Sequence, residues 1–263
     1  MDLGLKDKRA LVTGASRGLG YSTALTLAHE GCRVAVNSRS QENAKAAAEK
    51  IASETGTQAV GLAGDVSKAS VAEEVVAAAV DALGGLDLLV TNTGGPPAGA
   101  FESFDEAAWQ KAVDLSFMSH VRLIRAALTH LRKSAAASVL TVTSYVVKEP
   151  LQNLVLSNSI RTATVGLTKS LALELGKEGI RFNSILPGWT ETERVQELMA
   201  YRAKNNSTTI EEETAKQAAE IPLGRMGKPE EFANVAAFLL SPAASFVHGV
   251  ALPVDGSIIR ATL

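Results

Sequence analysis

Thr13-Gly14-Ala15-Ser16-Arg17-Gly18-Leu19-Gly20 places three glycines between an apolar run and a helical pattern. Glycines let a backbone come close to a pyrophosphate. A helix N-terminus then offers unpaired N–H groups and the positive end of its dipole. Glycine spacing alone is weak, and the order strand, turn, helix is what makes it informative. Gly14, Ser16, Arg17, Gly18, Leu19 and Gly20 are therefore candidate dinucleotide-binding residues. The next apolar strand ends Val36-Asn37-Ser38-Arg39, without an acid. An Asp or Glu at that place would bind ribose hydroxyls and repel a 2′-phosphate. Here Arg39 and Arg17 can bracket a phosphate, with Asn37 and Ser38 adding hydrogen bonds. The expected cofactor is NADP(H), with NAD(H) second.

A second group of residues has different chemistry. Ser157 and Arg161 are four apart in a helical stretch and share one face. An aliphatic hydroxyl is a far poorer acid than a phenol, whose unperturbed pKa is about 10. A guanidinium can hold a carboxylate or a ribose hydroxyl but cannot shuttle protons. The nearest phenol is Tyr145, directly after Ser144 at the end of the run Ser138 to Thr143.

The elements that must position these residues alternate. Apolar runs Arg9 to Thr13, Arg33 to Asn37, Gln58 to Ala63, Leu86 to Thr91, Ser138 to Thr143, Arg181 to Leu186 and Gly249 to Val254 read as strands. Between them fall helical stretches at Leu19 to Glu30, Gln41 to Thr55, Val71 to Leu83, Phe104 to Arg132, Leu154 to Gly176 and Pro229 to Leu240. On the fourth of these, Trp109, Val113, Phe117, Val121, Ile124 and Leu128 recur at steps of three and four and define one face. Strands alternating with helices predict an α/β fold, a doubly wound parallel sheet of Rossmann type, in a single domain spanning residues 1–263. Residues 189–220 break the rhythm: the stretch reads as a long polar loop, and its apolar anchors Trp189, Leu198, Met199 and Tyr201 suit a substrate lid.

These residues resemble the short-chain dehydrogenase/reductase family, which carries a Thr-Gly-x-x-x-Gly-x-Gly turn. Other ordered motifs extend the resemblance over nearly the whole chain. Gly64-Asp65-Val66-Ser67 is similar to the family's acidic turn after the third strand, which implies that Asp65 and Val66 meet the adenine. Asn92-Thr93-Gly94-Gly95 stands at its Asn-Asn-Ala-Gly segment with two substitutions. Pro187, Gly188, Thr190 and Thr192 lie in its motif near the nicotinamide. Gly224 to Glu231 and Val254-Asp255-Gly256 match its C-terminal region.

In that family a Tyr exchanges the substrate proton, a Lys tunes the Tyr and holds the ribose, a Ser binds the substrate oxygen, and an Asn supports a water relay. The resemblance puts these four roles at Ser157, Arg161, Ser144 and Ser116, so only the Ser is kept. It implies a candidate catalytic set of Ser144, Tyr145, Ser157 and Arg161, with Tyr145 or an ordered water replacing the missing proton donor. It also places Arg161 among the cofactor-binding residues. The implied activity is hydride transfer between NADP(H) and a carbonyl or alcohol. Two other readings stay open: a dinucleotide-binding sensor or assembly partner without redox turnover, and a lyase or isomerase using the same pocket.

Composition narrows the partners. Of 263 residues, 26 are basic and 28 acidic, giving a net charge of −2 with no long basic stretch, so nucleic acid is not expected. No apolar run is long enough to span a bilayer, and Met1 to Lys8 lacks a signal-peptide core. The expectation is a cytoplasmic protein acting on a small molecule. One cysteine, Cys32, and four histidines without ligand spacing give no metal site. The long helices over 104–132 and 154–176 resemble those that assemble family members, which implies a homotetramer or homodimer.

Overall fold

The strand runs are almost wholly apolar, as they must be when helices cover both faces of a parallel sheet. A computed structural model describes residues 1–262. Its strands are β1 (Arg9–Val12), β2 (Arg33–Ser38), β3 (Ala59–Ala63), β4 (Leu88–Thr91), β5 (Ser138–Val142), β6 (Arg181–Pro187) and β7 (Ala251–Val254). They form one sheet in the order β3-β2-β1-β4-β5-β6-β7, with every pairing parallel. The chain begins at β1, winds outward to β3, returns to β4 and winds the other way. The reversal falls between β1 and β4. In open α/β sheets the crevice at the carboxyl ends of such a pair is the usual ligand site.

Helices α1 (Gly18–His29) and α2 (Gln41–Thr55) cover one face, together with a helix at Pro229–Leu240. There Leu27, Ile51 and Phe232 pack on Val12, Val34 and Val90. The other face carries α3 (Ala69–Leu83) and two later helices, with Val76, Leu123 and Phe182 against Leu11, Leu89 and Val139. Full burial of each such side chain contributes roughly 1.5–3 kcal/mol. Local signals set the ends. Ser40 caps α2 by accepting from the N–H of Asn43, and Gly56 ends it at φ 69°, where a side chain would be strained.

Two expectations are corrected. The helix expected over 104–132 is not regular. It divides into α4 (Glu106–Val113), a π-helical turn at Asp114–Met118, and α5 (Ser119–Leu131). The extra residue in that turn rotates the downstream face. Ala112, Ser116, His120, Leu123 and Leu131 are buried; of the expected face Ile124 is buried too, whereas Trp109, Val113, Phe117, Val121 and Leu128 are half-buried, the first three packing with Leu156 and Ile160 of the helix at Val155–Leu175. α6 (Val155–Leu175) follows as expected.

The polar stretch 189–220 is not a loop but two helices, α7 (Glu193–Asn206) and α8 (Ile210–Ala219), followed by α9 (Pro229–Leu240). Its polar residues supply the caps. Thr192 accepts from the N–H of Val195, and Ser207 ends α7 in the left-handed region at φ 54°. Thr209 and Glu212 form a reciprocal capping box at 3.1 and 3.0 Å. Of the four expected anchors, Met199 is buried with Ile221 and Met226, and Trp189 packs on them half-buried. Leu198 and Tyr201 are exposed.

Candidate active site

The glycine turn opens α1 at the β1–β4 crevice. The Thr13 hydroxyl donates to the carbonyl of Asn92 at 2.9 Å and accepts from its N–H at 3.0 Å. The Asn92 side chain donates to the carbonyl of Gly14 at 3.0 Å. A Cβ on Gly14 would fall 2.8 Å from the Asn92 carbonyl, and one on Gly20 would fall 2.8 Å from its amide nitrogen. Arg17 at the head of α1 is extended and makes no side-chain cap, so the first N–H groups of the helix are left to an incoming anion. Gly94 faces open space. Thr192, heading α7, lies 3.6 Å from where a Cβ on Gly18 would stand, so two helix starts face each other across the turn. Uncapped donors and backbone that leaves no room for side chains fit a dinucleotide pyrophosphate. Ser16 and Leu19 are half-buried on the same turn.

At the end of β2, Arg39 is exposed and has no carboxylate partner among the described residues. Arg17 is also exposed, but its Nη1 contacts Glu197 of α7 at 3.1 Å. Asn37 does not reach outward with its amide nitrogen, which donates to the carbonyls of Leu62 and Gly64 at 3.2 and 3.1 Å. Asn37 therefore pins β2 to the chain leaving β3. The Ser38 hydroxyl accepts from Ser40 at 3.5 Å. Asp65 Oδ1 accepts from the Ser67 N–H at 3.2 Å and from its hydroxyl at 2.7 Å, and Val66 is buried. At the far side of the crevice, where the sequence predicts a nicotinamide end, Pro187 ends β6, the Gly188 N–H donates to the Val254 carbonyl at 2.9 Å, and Thr190 is buried beside Thr192.

The candidate catalytic residues divide. Ser144 ends the strand run and accepts from the N–H of Val146 at 3.4 Å, which leaves its own proton to donate. Tyr145 is buried, at 7 % exposure. Burial raises its phenol above the ordinary range. A hydrogen bond with Trp189 opposes this, while the charges of Glu220 and Glu149 add to it. Arg202, which stands 5.3 Å over the Trp189 ring, acts on the same phenol. Trp189, Arg202 and Glu220 belong to the α7–α8 side, while Glu149 lies four residues on from Tyr145 itself. Ser157 is half-buried on α6.

Arg161 lies one turn further along α6 and is buried, at 8 % exposure. Its Nη1 donates to the Thr143 carbonyl at 2.8 Å. Burial, then the charge of Arg194, bring its pKa down to about 10, so it stays charged at neutral pH. The π-helical turn carries Ser116 against α6, where Thr164 donates to the Ser116 carbonyl at 2.7 Å. The hydroxyls of Ser116, Thr93 and Thr143 are buried without a hydrogen-bond partner. Below them His120 Nδ1 meets the Thr91 hydroxyl at 2.7 Å. Burial and the charge of Arg161 hold that imidazole neutral, with its pKa near about 3.

Gly95, the last residue of the Asn92-Thr93-Gly94-Gly95 segment, also stands at the site, as do Arg194, Thr143 and Glu197, which no sequence motif singled out. Arg194 follows the Thr192 cap by two residues, and only recognition of α7 as a helix would have turned it toward the crevice.

The chain has relatives in both sequence and fold. A family model described as enoyl-(acyl carrier protein) reductase matches residues 14–257. The bovine (Bos taurus) dehydrogenase/reductase SDR family member 4 is 34 % identical over 253 residues, covering 96 % of this chain and 87 % of the relative. Among solved structures, the L-sorbose reductase of Gluconobacter frateurii, complexed with NADPH and L-sorbose, superposes with a TM-score of 0.96 at 29 % identity, covering 99 % of this chain and 100 % of that one. An NADPH-bound short-chain oxidoreductase from Pseudomonas aeruginosa PAO1, described as containing an atypical catalytic center, superposes at 0.89 with 30 % identity over 97 % of this chain and 99 % of its own. The chain belongs to the short-chain dehydrogenase/reductase family, and its type is that of an oxidoreductase.

Proposed function

We propose that this protein is an NADP(H)-dependent reductase of a small carbonyl compound, or a dehydrogenase of the corresponding alcohol, working without the family's Tyr–Lys pair. The observation that carries the reading is the uncapped start of α1 beside an end of β2 that bears Arg39 and no acid. The NADPH-bound relatives support the same choice.

The glycine turn and the two facing helix starts would hold the pyrophosphate, Arg39 and Arg17 the 2′-phosphate, Asp65 and Val66 the adenine. Asn92, Thr93, Gly94, Pro187, Gly188, Thr190 and Thr192 would line the nicotinamide end, and Arg161 would anchor its ribose or an acidic group of the substrate. When bound, the cofactor supplies or accepts the hydride. Ser144 would donate its hydroxyl to the substrate oxygen, and the fixed charge of Arg161 would favour negative charge developing there. The proton would come from Tyr145 or from water. Helices α7 and α8 form the lid of this reading, since Thr192 and Glu197 already touch the glycine turn and its Arg17. Family-type assembly into a homotetramer or homodimer would cover the half-buried stripe of α4–α5 and the exposed Leu173 of α6.

Single-turnover loss of NADPH absorbance against a panel of carbonyl compounds tests the proposal. Oxidation of NADPH by at least one of them is expected. Tight NADPH binding with no oxidation by any would overturn it in favour of a dinucleotide-binding protein without turnover. That second reading is favoured by one observation, a half-buried aliphatic hydroxyl at Ser157 with a guanidinium one turn on at Arg161, a pair that cannot pass a proton as the family's Tyr–Lys pair does.

A further inference from the structure

Arg161 and Arg194 point at the same place from different elements. Arg161 Nη2 lies 3.3 Å, and Arg194 Nη2 3.2 Å, from the position a Cβ on Gly95 would occupy. Arg161 rises from α6 in the body of the fold, and Arg194 reaches in from the first turn of α7. A glycine at 95 is what leaves both guanidiniums room. Neither arginine pairs with a carboxylate among the described residues, although eight other ion pairs form in the chain.

Hydrogen-bond bookkeeping sharpens the point. A guanidinium carries five N–H donors. Within the described protein, buried Arg161 uses one, to the Thr143 carbonyl. Next to it the Thr143 and Thr93 hydroxyls are buried and unpartnered. The pairing of Thr91 with Thr141 sets these two residues side by side just beyond the ends of β4 and β5. Two like charges close together, with buried donors unmatched, are unfavourable unless an anion joins them. The pyrophosphate is not that anion. Its cradle is at Gly14 to Gly20, and the α7 residues facing Gly18 are Thr192 and Glu193, not Arg194. In the reading above, Arg39 at the end of β2 would take the 2′-phosphate.

Resting on the reductase reading above, we infer that the substrate carries an oxyanion, a carboxylate or a phosphate, which Arg161 and Arg194 grip between the body of the fold and α7 at Gly95. The planar fork of each arginine suits such a group bidentately. Because Arg194 belongs to α7, an anionic substrate draws the lid inward and a neutral one does not. The substrate class is therefore a small carbonyl acid or phosphate ester, or its alcohol counterpart.

Calorimetry on protein saturated with NADP⁺, so that the pyrophosphate cradle is filled, tests the site without turnover. The probes are acetate, inorganic phosphate and neutral acetamide. At least one anion is expected to bind where acetamide does not, and which one binds separates a carboxylate site from a phosphate site. Arg194→Ala, at an exposed position, should weaken that anion by about tenfold or more, and Arg194→Lys should recover part of the loss. Anion affinity no better than that of acetamide, or unchanged in Arg194→Ala, overturns the inference. A parallel assay compares NADPH oxidation by 2-oxo acids and by their neutral methyl esters. Reduction of the esters with no anion binding removes the anion site and leaves the reductase. Anion binding that depends on Arg194, without any NADPH oxidation, keeps the site and removes the reductase.

Discussion

Asn92 donates its side-chain amide to the carbonyl of Gly14 at 3.0 Å, tying the chain leaving β4 to the glycine turn that leaves β1. The turn has positive φ at Gly14 and Gly18, so its shape depends on such restraints. Asn92→Ala should remove about 1 kcal/mol of support. Weaker NADP(H) binding in calorimetry, with the fold intact by circular dichroism, is the expected result, and unchanged affinity would make the contact incidental.

Arg39 separates the two cofactors. It is exposed just after β2, and that strand ends without an acid that would oppose a 2′-phosphate. Arg39→Ala should weaken NADP(H) by roughly 1–3 kcal/mol, the range for hydrogen bonds to a charged group. NAD(H) affinity should hardly move. Parallel loss for both cofactors, or a parent protein that prefers NAD(H), would dismiss the charge argument.

The α7–α8 pair should order when ligand arrives. Its ties to the cradle are few: Thr192 against Gly18, and an exposed Arg17–Glu197 pair of the kind that contributes little on its own. Hydrogen exchange over residues 193–219 should slow on saturation with NADP(H), and more with an anionic substrate analogue added. Identical protection in all states would mean a rigid cap.

Kinetics can decide the proton donor. Ser157 has no accessible acidic proton, whereas Tyr145 has one, held tightly because burial raises its pKa. General acid–base assistance is typically worth about 10²–10⁴ in rate. Tyr145→Phe should therefore lower kcat with little change in cofactor affinity, and Ser157→Ala should do less harm. Full activity in Tyr145→Phe would leave water or the substrate itself as the donor.

A fifth expectation concerns acid. Arg9, the Ser134 hydroxyl and the Arg9 N–H hold the Asp87 carboxylate, at 2.8 Å for the shortest arginine contact, and outweigh its burial to bring its pKa down to about 2. Its folded pKa lies below the unfolded value near 4, so the pair stabilises fully above pH 4 and loses its contribution as pH falls toward 2. Thermal melts should show that loss in the parent. Asp87→Asn should flatten that part of the profile and lower Tm at pH 7. An unchanged acid limb in the variant would clear Asp87 of the effect.

Sequence reading reached the sheet and the cradle because both rest on strong local signals. Leu88-Leu89-Val90 is apolar on both faces only because helices cover both. Gly14 and Gly20 sit where a Cβ has no room. It failed where identity is set by what comes from far away in the chain. Polarity over 189–220 looked like a loop, yet Thr192, Thr209 and Glu212 are polar because they cap helices. Asn37 looked like a phosphate ligand, yet its amide nitrogen answers two carbonyls of the neighbouring chain. Tyr145 could be numbered but not aimed, since its burial is set by segments remote from it in the chain. The convergence of Arg161 and Arg194 joins residues 33 apart through the fold, and no spacing rule encodes it.

The π-helical turn at Asp114–Met118 works as a one-residue insertion whose register the rest of the molecule has absorbed. Each residue of an α-helix advances about 100°. Deleting one residue from the turn would straighten α4–α5 and swing everything after it by that angle, taking His120 away from Thr91 and Leu123 out of the core. The irregularity that carries Ser116 to the crevice is thus locked to the phase of α5. The chain cannot give up this departure from helical regularity at the site without also repacking the helix that supports the sheet.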